Sequence, residues 1–253
     1  MATYDIPPGG IQNMDEWLRI RLGRLTASRV ADAFRRTQKG WSKDRENYRM
    51  ELIAERLTGM AKHVYVSEAM TDGQLHEGDA RRLYEQRYGV VVETPWFVPH
   101  PTIKDAGCSP DGAVGTEGMV QIKSPLAHTH LATLLNKTID DDYLKQMQWE
   151  MACCQRQWSD YLSFNPTFPA PLRLYVERVY RDDKLIAEME SMAREFLDGI
   201  AATIKALGDF EMPKIEEPTR EPAAEMGWSE NVPASDFSSI ETLIASGALK
   251  RGL

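Results

Sequence analysis

Apolar residues recur at helical spacing through the first third of the chain. Asn13-Met14-Asp15 opens a short helix through Leu22, with Trp17, Leu18 and Leu22 apolar and Gly23 as a C′ stop. Thr26 then stands where it can cap a second helix carrying Val30 and Phe34. Ser42 starts a third, in which Tyr48, Leu52, Ile53 and Leu57 fall on one face before Gly59. A fourth runs from about Gln74 to Tyr88 and stops at Gly89. The period then shortens. Val90-Val91-Val92 and Trp96-Phe97-Val98 read as strands on either side of a Pro turn. The stretch Ala106–Lys123 reads as a β-meander turning at Ser109-Pro110-Asp111-Gly112 and at Thr116-Glu117-Gly118. A helix over Asp141–Gln155, a strand over Leu172–Tyr180 and a long helix over Lys184–Leu207 complete the patterned region. From Pro213 to Pro233 periodicity fades among prolines and acids, as in a linker. A short amphipathic helix is expected over Asp236–Ser246, with Phe237, Ile240 and Ile244 on one side. There is no internal repeat.

The 253 residues, 42% hydrophobic and 27% charged, suit one large α/β domain with an appendage. We place the domain at 1–212 and an acidic, Pro-containing extension at 213–253. No run of eighteen apolar residues is present, so no membrane partner is expected. The opening MATYDIPPGG has neither a basic nor an apolar segment of the secretory kind, so it does not read as a secretory signal. Cys108, Cys153 and Cys154 make no disulfide framework and no CxxC metal spacing, and read as buried thiols. Net charge is −8, yet residues 17–62 hold twelve Lys/Arg against five Asp/Glu, and residues 182–253 hold fifteen acids against seven bases. A basic N-terminal surface and an acidic C-terminal one follow, unless both are merely solvated helix faces.

Candidate chemistry concentrates in GCSPDGAVGTEGMVQIKSP, residues 107–125. Residues i and i+2 of a strand share a face, so Gln121 and Lys123 point together, toward the Asp111 carboxylate, with the Ile122 carbonyl between them. Phosphodiester hydrolysis needs its oxygens neutralised, a water deprotonated and a leaving oxyanion stabilised. Carboxylates that hold Mg²⁺, with a Lys beside them, meet those needs. A hairpin turn with a surface Lys would give the same short pattern.

Pro110-Asp111 and Lys123 resemble the PD-(D/E)xK nuclease pattern, with Gln121 standing where a metal-binding acid belongs. Within that superfamily the chain resembles the lambda exonuclease and YqaJ-type viral recombinase family in five elements. They are Trp17 to Ser28 (WLRIRLGRLTAS), the helix around His76-Glu77 in GQLHEGDARRLYEQRYG, His100-Pro101 with the SPDG turn, Gln121-Ile122-Lys123, and Tyr143 to Gln148 (YLKQMQ). The resemblance spans roughly residues 14–210 and implies a restriction-endonuclease-like α/β core: a central mixed sheet flanked by helices, with a C-terminal extension. It implies Glu77, Asp111, Gln121 and Ile122 as metal ligands for two Mg²⁺ ions, with Mn²⁺ as a substitute. Asp111, Gln121, Lys123, Glu77 and Gln148 would form the catalytic group. Glu77 shares a helical stripe with Ala80, Tyr84 and Tyr88, where a carboxylate needs a cation or a donor; interaction with the helix dipole is the alternative. Gln148 shares one with Leu144, Met147 and Met151, and a satisfied core amide is its alternative.

By the same resemblance Arg21, Thr26 and Ser28 would hold the 5′-phosphate of a DNA end, a task suited to a helix N-terminus and a guanidinium fork, and Ser109 stands where it could join them; plain capping by Thr26 with Arg21 solvated is the alternative. Arg35, Arg36, Lys39 and Arg45 would extend a track for the duplex, with Trp41 as a wedge at its end, although ordinary surface charge explains any one of the four basic residues. His128 and His130 lack the complement of a zinc site, and Trp149 and Trp158 read as packing residues. The activity implied is ATP-independent 5′-to-3′ digestion of linear double-stranded DNA for phage-type recombination, by a ring-shaped homotrimer partnered by a single-strand annealing protein. Gln121 keeps one acceptor oxygen and removes a negative charge, so weak or absent catalysis is expected. The natural acid has been exchanged, which the Glu-to-Gln chemistry favours, or the protein departs from the pattern and is a non-catalytic DNA-end-binding module. An iron–sulfur nuclease of the same superfamily is disfavoured by the lack of four suitable cysteines.

Overall fold

The computed structural model describes residues 14–61 and 68–215. The linker beyond 215 and the helix expected over 236–246 lie outside the described residues. Four helices fall close to where periodicity puts them: α1 (Met14–Arg21), α2 (Val30–Phe34), α3 (Lys43–Thr58) and α4 (Glu68–Tyr88), the last starting earlier than expected. The Ser42 side chain accepts from the Arg45 N–H at the start of α3, and Gly59 ends it in the left-handed conformation at φ 67°. Gly23 and Gly89 stop α1 and α4 in the same way, at φ 66° and 65°.

The strands depart from expectation in instructive ways. Val90 and Val92 join no strand: their N–H groups bond to Glu85, their side chains are buried, and only Glu93 makes a bridge, to Ala113. The second expected strand shrinks to β4 (Val98–Pro99). The meander is divided between two sheets. A short strand β1 (Leu25–Thr26) pairs parallel with β5 (Ala106–Cys108), which pairs antiparallel with β4. The remainder, β6 (Gly112–Val114) and β7 (Gly118–Lys123), form a hairpin that opens a four-stranded mixed sheet, continued by β8 (Trp158–Phe164) and β9 (Leu174–Tyr180). Asp111 therefore does not end a strand: it sits in the connection that carries the chain from one sheet to the other. A separate hairpin joins β2 (Arg36–Thr37) to β3 (Gly40–Trp41).

Three more helices follow: α5 (Ala127–Asn136), α6 (Asp141–Cys154) and α7 (Asp183–Ala206). One face of the main sheet packs on α4, where Ala80 and Tyr84 meet Val120, Ile122 and Leu162. A larger core gathers α2, α3, α6 and α7 around Trp149, Phe196 and Met119. Each large apolar side chain removed from water here stabilises by about 1.5–3 kcal/mol. The buried Asp160 on β8 is answered by a bidentate Arg178, at 2.7 and 2.9 Å, and by the Tyr84 hydroxyl at 2.7 Å. The result is the expected α/β architecture, a mixed sheet flanked by helices. Among the described residues no helix is long and apolar enough to cross a membrane.

Candidate nuclease site

The Asp111 connection is fixed on both sides by close packing. A Cβ on Gly112 would lie 2.2 Å from Val92 Cγ1, and one on Gly107 would lie 2.4 Å from the Phe97 ring, so neither glycine tolerates a side chain without movement. Asp111 Oδ2 accepts a 2.6 Å hydrogen bond from the Ile122 N–H and a short one from Gln121 Nε2. It is the Ile122 N–H, on β7, that meets Asp111 here. Gln121 is fully buried, and its Oε1 has no hydrogen-bond partner.

Strand alternation puts Gln121 and Lys123 on the α6 side of β7, opposite Val120 and Ile122. The Lys123 Nζ lies 5.1 Å from the centre of the Tyr143 ring, which stacks on Tyr161 at 6.0 Å. Burial, aided by the neighbouring Tyr143, pushes the Tyr161 hydroxyl up to about 12 against the pull of the Lys123 ammonium. The Tyr161 phenol therefore stays neutral.

Glu77 reaches this place from α4. It pairs with Arg81 one turn later, and Arg81 Nη2 also donates to the Asp111 carbonyl at 3.3 Å. One guanidinium thus ties the helix carboxylate to the Asp111 backbone. Glu77 is less buried than its stripe suggested, with 30% of its side chain exposed, and its counter-charge is Arg81.

An amide oxygen buried without a partner beside a carboxylate is an unmet oxygen donor of the kind Mg²⁺ and Mn²⁺ take up. Asp111 and Gln121 fit such an ion, and Glu77 stands one ion pair away. Among the described residues no three His, Cys, Asp or Glu side chains cluster to hold a metal.

Three of the four residues expected to hold a terminal phosphate come together. Arg21 donates to Ser109 Oγ at 2.9 Å and to Ser28 Oγ at 3.3 Å, and its guanidinium lies 4.1 Å above the Trp17 ring. The β1–β5 register, Thr26 opposite Gly107, runs the two chains side by side so that Ser28 and Ser109 converge on Arg21. Thr26 is buried in that pairing. Its side chain makes no cap bond, and its N–H points to the Tyr48 hydroxyl at 3.3 Å. Ser109 and Asp111 are two residues apart on one connection, which brings the Arg21–Ser28–Ser109 cluster close to the Asp111 carboxylate.

Other expected residues stand elsewhere or do other work. Gln148 donates to the Tyr180 carbonyl at 2.8 Å and accepts from the Asp182 N–H at 2.9 Å, so both ends of its amide are spent clamping β9 to α7. On α6 it is Tyr143 that meets Lys123, and Gln146 donates to the buried Glu150 at 2.9 Å. Arg35 is engaged by Asp142 at 2.6 Å, with Asp32 and Asp44 within 4 Å. Arg45 is buried, bonded to the Ala33 carbonyl and 3.4 Å from Glu195; it holds α3 to its neighbours and offers nothing to a duplex. Trp41 lies between two guanidinium groups, Arg36 at 3.8 Å and Arg45 at 3.7 Å, so both its faces are covered. Arg36 and Lys39, on the β2–β3 hairpin, remain exposed. His130 is buried on Ser163 and the Leu172 carbonyl, Trp149 is core, and Trp158 lies under Arg178. Reading the residues alone missed Arg81, whose signal was its i+4 spacing from Glu77, and Tyr143, whose ring carries Lys123.

A family model described as YqaJ-like viral recombinase domain matches residues 16–157. The chain belongs to that family. Among solved structures, an alkaline exonuclease (LHK-Exo) from Laribacter hongkongensis is similar at 40% identity and TM-score 0.72, over 76% of this chain and 95% of that one. The same exonuclease in complex with dAMP gives 40% identity and TM-score 0.71 over the same shares. A phage-related exonuclease from Haemophilus somnus 129PT, at 12% identity and TM-score 0.62 over 73% of this chain and 96% of that one, shares the fold. Comparison with curated proteins gives no significant match. The YqaJ assignment places the chain among exonucleases and recombinases and covers every site residue described above, from Arg21 to Gln148.

Proposed function

We propose that this YqaJ-family chain acts on the ends of linear double-stranded DNA, as a Mg²⁺-dependent 5′-to-3′ exonuclease weakened by Gln121. The observation that carries it is the adjacency of the Arg21–Ser28–Ser109 pocket and the Asp111–Gln121–Lys123 group on one short connection. Arg21 and the two hydroxyls suit a terminal phosphate, because a guanidinium fork and hydroxyl donors match its oxygens. The similar alkaline exonuclease was crystallised with dAMP, a nucleotide bearing the phosphate that such a pocket would take. Asp111 and Gln121 Oε1 would hold the cation, which when bound supplies charge neutralisation and an acidified water. Lys123, held over Tyr143, faces the charge that develops on the phosphate oxygens. Arg36 and Lys39 on the exposed hairpin would grip the duplex backbone. The family resemblance adds a ring-shaped homotrimer and a single-strand annealing protein as partner, in the cytoplasm of a bacterial or phage-infected cell.

A second reading has its own observation. Gln121 Nε2 donates to Asp111 Oδ2 and so occupies the carboxylate with an amide, which suits a DNA-end-binding module that performs no chemistry. Digestion separates the two. Linear duplex with 5′-phosphates, and a circular control, are incubated with the chain and with Gln121→Glu, in Mg²⁺ and in EDTA. The exonuclease reading expects Gln121→Glu to degrade only the linear DNA, only in Mg²⁺, and at least a hundredfold faster than the chain with Gln121. Inertness of Gln121→Glu across protein and salt concentrations would establish the binding module instead.

A further inference from the structure

Arg81 belongs to none of the groups expected of this site, yet it touches two of its members. Its Nη2 pairs with Glu77 and donates to the Asp111 carbonyl. The Arg81 Nε is buried and makes no hydrogen bond, so the guanidinium is seated by the ion pair rather than by a full set of partners. At the Asp111 carboxylate, Gln121 Oε1 is buried and also without a partner. An unmet acceptor next to Asp111, with a fixed cation already holding the second carboxylate, is the arrangement of a site in which one positive charge comes from the protein.

We propose that Arg81 is a built-in competitor for the divalent cation: it keeps Glu77 out of the ligand set, so that the pocket takes a single ion on Asp111 and Gln121. This rests on the metal reading given above and deepens it. An acid at 121 would give the pocket another negative charge, and cations would then compete better against Arg81 for Glu77. With the neutral Gln121, the pocket's two carboxylates are answered by the Arg81 guanidinium and the nearby Lys123 ammonium, and the attraction left for a divalent ion is small. Arg81 is thus a positioning residue. It acts through Glu77 and touches neither the cation nor the reacting phosphate.

The test is Mn²⁺ binding to the full chain, measured by electron paramagnetic resonance and by the shift in urea midpoint. It compares the chain as it stands with Arg81→Met, Glu77→Gln and the double variant, the fold of each being checked by circular dichroism in EDTA. Arg81→Met should bind Mn²⁺ at least tenfold more tightly, because Glu77 is released as a ligand. Glu77→Gln should bind more weakly, because the guanidinium is left uncompensated. The double variant restores the pocket's charge and should match the starting chain within about twofold. Arg81→Lys, which keeps the charge, should stay within threefold of the starting chain. A double variant several-fold weaker than the starting chain would show that Glu77 already binds the ion, and overturn the proposal. So would an Arg81→Met affinity no higher than that of the starting chain. Absence of Mn²⁺ binding in every variant, Gln121→Glu included, would overturn the metal reading itself.

Discussion

Replacing Gln121 by Glu puts a carboxylate against Asp111 Oδ2 at a position with no exposed surface. The present contact is an amide donating to a carboxylate. The new one sets two anions about 3 Å apart, worth about 5 kcal/mol of repulsion at the effective dielectric of about 20 that suits protein sites. Protonation caps this cost. A carboxyl with an ordinary value near 4.3 takes up a proton at pH 7 for nearly three pH units, each about 1.4 kcal/mol, or about 4 kcal/mol in all. In EDTA at pH 7, Gln121→Glu should therefore unfold in urea with about 3–4 kcal/mol less stability than the parent. Its carboxyl is raised in the folded state, so the deficit is absent below about pH 4 and grows as pH climbs toward 7. Mg²⁺ should reverse it, since a ligand at a hundred times its Kd stabilises by about 2.7 kcal/mol, whereas the parent should respond by less than half as much. Equal stability of the two proteins in EDTA, or equal response to Mg²⁺, would refute the placement of residue 121 in a metal pocket.

Three further outcomes follow from the geometry. Arg21→Gln should weaken binding to 5′-phosphorylated duplex ends about tenfold to a hundredfold, the worth of a charge-assisted hydrogen bond, and leave 5′-hydroxyl ends unaffected in a fluorescence titration; an equal loss on both kinds of end would disconnect Arg21 from the phosphate. Gln148→Met strips the clamp on the Tyr180 carbonyl and the Asp182 N–H and should lower stability by about 1–3 kcal/mol. Its affinity for DNA ends and for Mn²⁺ should not change, and a specific loss of either would return Gln148 to the site. Burial pushes the Cys108 thiol well up, and contact with Cys108 together with burial raises Cys154. The unfolded chain ionises near 8.5, so these thiols contribute stability below that pH which is lost as pH rises above it. The urea midpoint should fall between pH 8 and pH 10, and a Cys108→Ala/Cys154→Ala double variant should flatten that slope. A slope unchanged by the double variant would show that the thiols have no part in it.

Helices with clear termini were legible because their signals are local. Ser42 with Gly59, and Gly89 after Tyr88, mark the ends of α3 and α4 without help from tertiary structure. β8 was hidden because it is central and buried on both sides. Its WSDYLSF sequence carries Ser159, Asp160 and Ser163, polar residues that read as a loop until Arg178, Tyr84 and His130 are seen to answer two of them. α5 was missed because Leu131 and Leu135 are exposed, which blurs its stripe. The split of the meander between two sheets could not be read, since β1 and β4 are two residues each and their pairing with β5 is set by distant chain. At the site, Asp111, Gln121 and Lys123 followed from strand alternation, and Arg21 with Ser28 and Ser109 followed from the resemblance. Gln148 had two stripes to choose from. Only the tertiary structure shows that its amide is taken up by the Tyr180 carbonyl and the Asp182 N–H, while Tyr143 of the same helix meets Lys123.

The most direct measurement is a crystal structure of the chain with a short 5′-phosphorylated duplex and Mn²⁺, recorded at a wavelength where manganese scatters anomalously. The account predicts a manganese peak bonded to Asp111 and to Gln121 Oε1, with the terminal phosphate on Arg21, Ser28 and Ser109. A duplex end bound elsewhere, or an Asp111–Gln121 hydrogen bond unbroken at saturating Mn²⁺ with no peak beside it, would contradict it.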